Sequence, residues 1–266
     1  MPDSDEPSWE KFTQENPAFT SVYYKAWQML PEFFLATPAP EHDAAGMVVL
    51  QLMMASISDF DDIMLLSSQN GHFGALKLLR CAFERAITLK YIAQNPKEAE
   101  AFVEFDALDW QRILVGIEGK SGLRMSETSQ KNLDNAADRA RKKFRQEPCD
   151  KCGLRKQTTW TPQSARDLSK RVGMDYMFFD AFELPSKFIH PTYWGTHEAA
   201  SSAPMYNTLK HAHELLLEII LVHHRYFHEG EQISQSVEDV IQNFFSVWKY
   251  SETDFGLPDR PGRIVL

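Results

Sequence analysis

Three side chains in this sequence make a minimal set for phosphodiester chemistry. Arg80 and Glu84 stand one helical turn apart, and His190 follows Ser186 by four residues and directly precedes Pro191. An imidazole that titrates near neutrality can move a proton, and a fixed guanidinium can stabilise the charge that builds on a phosphorane. The same residues can instead form a structural clamp, with Glu84 neutralising Arg80 and His190 capping a main-chain carbonyl. The residues alone leave both readings open.

Two further groups carry chemistry. Cys149-Asp-Lys-Cys152-Gly has the spacing and the glycine turn of half a zinc site. The chain has three cysteines in all, so a tetrahedral site would draw histidines from elsewhere or from another subunit; otherwise these are surface thiols. Around them, Arg139, Arg141, Lys142, Lys143 and Arg145 open a run to residue 156 in which eight cations face only Glu147 and Asp150. That stretch carries +6 and, against a total of −9, leaves −15 in the rest. It reads either as a phosphate-binding face for RNA or as a solvated helix.

The remaining polar groups read as ordinary surface. His211 and His213, and His223 and His224, have spacings that put no imidazole pair on one helical face. His211 and Glu214 have the helical Glu-x-x-His metal spacing in reverse order. These histidines, with His228, read as surface or interface residues, and Asp59, Asp61 and Asp62 as a solvated helix face. A Gly-rich phosphate loop, a Gly-x-Ser-x-Gly elbow and a His-Glu-x-x-His helix are all missing from the sequence. No cofactor is implied other than zinc at Cys149 and Cys152.

The elements that must position these groups are helices. Residues 74–94 are apolar on nearly every side, with Leu76, Phe83, Ile87 and Tyr91 in one arc about 80° wide and Leu78, Ala82 and Leu89 opposite. A helix of that kind belongs at the centre of a bundle, with Arg80 as a charge on its apolar face. Before it, 19–36 reads as a helix broken or kinked at Pro31, and 41–68 as a long amphipathic helix. After it, Pro96 opens a helix to about residue 117, and 126–144 reads as a charged helix projecting from the bundle. Thr161-Pro-Gln-Ser164 opens a helix closed by Gly173, an aromatic segment runs from Asp175 to His190, and two amphipathic helices cover 204–227 and 233–250. The fold class is all-α: one multi-helix bundle over 19–252 around the helix at about 74–94, with a charged helical excursion at about 118–158. Residues 1–18 read as a flexible acidic arm and 253–266 as a tail.

With 266 residues, 43% of them hydrophobic, the chain can bury one large core. Its acidic balance argues against broad affinity for nucleic acid or anionic membranes. The acidic opening Met1-Pro-Asp-Ser-Asp-Glu6 lacks the basic flank of a secretion signal, and no apolar run approaches the roughly 20 residues of a bilayer span. The expected setting is reducing and cytoplasmic, with no membrane partner.

Several of these residues also carry a resemblance. Leu78-Leu-Arg80-x-x-x-Glu84 with Tyr91, then Asn95-Pro96, Trp160, the Ser164–Gly173 helix and Ser186-x-x-x-His190-Pro191 resemble the bacterial family called domain of unknown function 5677. The likeness covers about 45–200. It implies an all-helical domain distantly similar to HEPN-type bundles, many of which act in toxin and phage-defence systems. Active members of that superfamily are metal-independent ribonucleases, usually dimeric, with an Arg four to six residues before the His on one helix. Here the residues upstream of His190, Phe182, Glu183, Leu184, Pro185 and Ser186, include no Arg, so Arg80 would have to serve from another helix. The resemblance therefore implies either a ribonuclease acting through Arg80, Glu84 and His190, or a non-enzymatic interaction module. Its partners would be RNA, an operon-encoded protein or a second copy of the chain.

Overall fold

The computed structural model describes residues 7–35, 37, 43–118, 125–149, 153–156, 159–189, 205–228 and 235–248. Its elements are α1 (Trp9–Glu15), α2 (Pro17–Leu35), α3 (Ala44–Ser68), α4 (His72–Gln94), a 3-10 turn (Pro96–Glu98), α5 (Ala99–Glu118), α6 (Glu127–Lys143), β1 (Arg145–Cys149), β2 (Gly153–Lys156), α7 (Ala165–Arg171), a second 3-10 turn (Asp175–Met177), a π-helical turn (Phe179–Glu183), α8 (Leu184–Ile189), α9 (Met205–Phe227) and α10 (Gln235–Trp248). The all-α bundle is what the periodicity of the sequence dictates.

The helix starts are built from local chemistry. Ser8, Asp43 and Ser126 each accept a main-chain N–H of the first turn that follows. Ser164 and Asp167 form a reciprocal capping box at the start of α7. Between α3 and α4 the chain reverses in three residues, with Asn70 in the left-handed region (φ 57°). A Cβ on Gly71 would stand 3.0 Å from the Leu66 carbonyl oxygen, a tight approach that glycine avoids.

α3, α4 and α9 pack on one another in the centre. α4 is buried along most of its circumference: Leu76, Leu79, Ala82, Phe83, Ala86, Ile87, Leu89 and Ile92 are all within 3% of full burial. Its remaining sides meet α7, the π-helical turn and α8. α4 and α9 run in the same direction, because Lys90 bonds Glu218 and Gln94 shares a cleft with Arg225 and Tyr226 further along both helices.

The structure differs from the sequence reading at several elements. α2 runs through Pro31 to Leu35 without the break that the proline allows. The segment read as an arm contains α1, whose Phe12 is buried in the main core and whose Trp9 packs against Tyr23. The excursion is α6 followed by a two-stranded antiparallel hairpin, not helix throughout. Its register slips between Arg145 and Pro148, where proline has no N–H to give to the ladder. A small satellite core of Phe105, Ala140 and Phe144 fixes α6 on α5. Trp160 joins it to the main core through its ring contacts with Tyr91 and Phe102.

Candidate functional site

Arg80 and Glu84 lie on the side of α4 that faces the π-helical turn and α8. The turn has a local cause. The Leu184 N–H bonds the Phe179 carbonyl five residues back, and Pro185 offers no N–H to continue an ordinary ladder. This widened turn presents Phe182 to the Arg80 guanidinium, whose carbon sits 4.8 Å from the ring centroid.

Arg80 is therefore not the core charge that its arc suggests. Among the described residues its side chain keeps 22% of its exposure and Glu84 keeps 46%. The ion pair between them is long, at 3.8 Å. The Arg80 Nε–H is buried and has no acceptor among the described residues. Burial raises the Glu84 carboxyl above its ordinary pKa, with the Arg80 charge pulling the other way. Burial likewise raises the neighbouring Cys81 thiol, helped by Glu84 and opposed by Arg80. Ser186 donates to the Phe182 carbonyl. His190, the third member of the set, lies outside the described residues.

The other sequence candidates fall elsewhere. Cys149 ends β1 and Gly153 opens β2 opposite it, while Cys152 lies outside the described residues. Among the described residues no group of three His, Cys, Asp or Glu side chains could hold a metal ion. On α6, Arg139 and Lys142 are exposed. Arg141 is tied to Asp138 and Gln111, and Lys143 to Glu104 at 2.5 Å. Part of the basic face thus holds α6 to α5. Arg145 opens β1.

The histidines of α9 are not surface residues. His211, His213, His223 and His224 are 7%, 0%, 0% and 4% exposed. His211 Nδ1 is 2.5 Å from Glu214 Oε2, and its Nε2 is 3.4 Å from Asp180 Oδ2 on the π-helical turn. Asp180 and Phe182 thus tie the same turn to α9 and to Arg80. His213 lies between the carbonyls of Leu209 and Phe19, and burial lowers its pKa to about 4. His223 Nε2 meets the Thr37 hydroxyl at 3.0 Å, and burial lowers its pKa to about 3. A same-face test for metal pairs misses these rings because His211, His213 and His223 turn to separate segments, at Asp180, Phe19 and Thr37. The His211/Glu214 spacing was the one signal available.

Two more ion pairs went unread in the sequence. Lys90 and Glu218 meet at 2.6 Å, 8% and 4% exposed as residues. Asp59, read as solvated, is buried and bridged by Arg85, and Asp61 accepts the Tyr23 hydroxyl; only Asp62 is exposed.

None of the described helices is long and apolar enough to cross a membrane. No curated protein and no solved structure matches the chain. The model of a family of unknown function, DUF5677, matches residues 46–202, more than half of the sequence and all of the α4–α8 region that carries Arg80, Glu84 and Phe182. The chain belongs to this family.

Proposed function

We propose that this protein is a HEPN-like ribonuclease, acting without a metal, whose Arg80, Glu84 and His190 act on the RNA backbone. The observation that carries the reading is the state of Arg80. It is a half-buried guanidinium over the Phe182 ring, with a long ion pair and, among the described residues, no acceptor for its Nε–H. A structural clamp needs a short, well-bonded pair. A site for a phosphate needs an oriented cation with donors to give.

In the proposed reaction the substrate's 2′-hydroxyl loses its proton to His190 and its oxygen forms a bond to phosphorus. The bond from phosphorus to the 5′ oxygen breaks, and that oxygen leaves with a proton from water. The products are a 2′,3′-cyclic phosphate and a 5′-hydroxyl. Arg80 stabilises the extra charge on the phosphorane, and Glu84 orients the guanidinium. The exposed Arg139 and Lys142 on α6 would guide the strand.

A second reading, an interaction module for a protein partner or a second copy, draws support from one surface. Val103, Trp110 and Ile113 on α5 are 53%, 52% and 44% exposed and fall within one face of that helix.

Incubation of the protein and its His190→Ala variant with total RNA separates the two. The ribonuclease reading expects decay only with the unmodified protein. Equal decay in both samples removes it.

A further inference from the structure

We propose that the cleft between the last turns of α4 and α9 binds a small ligand with an oxyanion head, a phosphate or a carboxylate, and a compact apolar body. The cleft holds about 300 Å³ and is lined by Lys90, Ala93, Gln94, Val222, Arg225 and Tyr226. That volume is at the lower end of the range for small-molecule sites. It lies ten residues beyond Arg80 on α4, roughly 15 Å along the helix axis, and is independent of the reading given above.

Among the described residues its charges are unbalanced. The Lys90 ammonium has three donors, and among the described residues it reaches one acceptor, Glu218 Oε2. Arg225, half-buried in the wall, has no carboxylate within ion-pair distance among the described residues, and its Nε is buried with no acceptor. Among the described residues, two cations therefore stand over one buried carboxylate. Asp43, beside the cleft, is exposed and accepts the Tyr226 hydroxyl at 2.5 Å.

Cations at a helix C-terminus often serve its free carbonyls. Here the end of α4 is capped by other means. The Asn95 main-chain N–H bonds the Tyr91 and Ile92 carbonyls, and its side-chain amide bonds Tyr91 again. In α9 the His228 N–H bonds the His224 carbonyl. Lys90 and Arg225 are left to face the cleft, where an oxyanion would complete the Arg225 pair. The Val222 and Ala93 side chains and the Tyr226 ring would cover the ligand's apolar part.

The test is a titration of the isotope-labelled full chain, followed by NMR, with sodium phosphate and separately with sodium benzoate. Sodium chloride at matched ionic strength is the reference. Saturable shifts at Gln94, Val222, Arg225 and Tyr226 are expected with at least one anion, and which anion it is identifies the head group. Binding should weaken at least tenfold in Arg225→Gln. It should also weaken in Ala93→Leu, which narrows the cleft but keeps both cations and covers the case in which Arg225→Gln does not fold. Shifts no larger than with chloride overturn the proposal, as does unchanged affinity in a folded variant.

Discussion

Lys90 and Glu218 lie 128 positions apart in the chain and meet at 2.6 Å inside the bundle, joining the central helix α4 to α9. Removing one partner leaves a buried charge alone, which costs about 3–5 kcal/mol. Lys90→Met and Glu218→Leu should each lower stability by that amount in urea unfolding. The double variant, which buries neither charge, should recover most of the loss. Additive losses would show that the pair is not coupled.

Glu84 offers the contrast. Its ion pair with Arg80 is long and close to half exposed, and such pairs contribute about 0–1 kcal/mol. Glu84→Gln should leave the unfolding midpoint nearly unchanged. A loss as large as that of Lys90→Met would mean that the Arg80–Glu84 pair is a structural clamp.

Acid should destabilise the protein through its buried histidines. His213 and His223 titrate at about 4 and about 3 in the native state, against 6.5 in an unfolded chain. The unfolded chain therefore binds more protons below pH 6.5. The stability these neutral rings contribute is complete above that pH and is lost as pH falls towards the native values, on the order of 3 kcal/mol for each ring. Urea unfolding between pH 7 and pH 4 should show this slope, and His213→Gln should flatten it. An unchanged slope in that variant would assign the acid sensitivity to other groups.

The excursion has its own small core. Phe105→Ala empties a site between Phe144 and Ala140, and a truncation of this kind costs about 3–5 kcal/mol when fully buried. Hydrogen exchange should speed up in α6 while α3, α4 and α9 stay protected. Uniform acceleration over the whole chain would show that α6 belongs to the main cooperative unit.

How far the sequence reaches depends on the range of each interaction. The central helix was legible because Leu76, Phe83, Ile87 and Leu89 leave it no polar face, and the α7 start because Ser164 and Asp167 are three residues apart. Arg80 and Glu84 were found as a pair for the same reason. Their partly exposed setting was not, since the ring that meets Arg80, Phe182, comes from the widened turn before Pro185 on a distant segment. Lys90 looked like one more polar residue because its partner lies on another helix. The burial of the α9 histidines, which read as surface or interface residues, was not legible because Phe19, Thr37 and Asp180 reach them from distant segments. Local periodicity contains no record of those contacts.

The most direct test of the central claim is the cleavage rate of an end-labelled RNA by the unmodified protein and by Arg80→Ala, with the new 3′ ends examined for a cyclic phosphate. The expected result is 2′,3′-cyclic phosphate ends and a rate about 100-fold lower in the variant, the usual loss when one charge-stabilising donor is removed. Equal rates in the two proteins, or products ending in a 3′-hydroxyl, would contradict it.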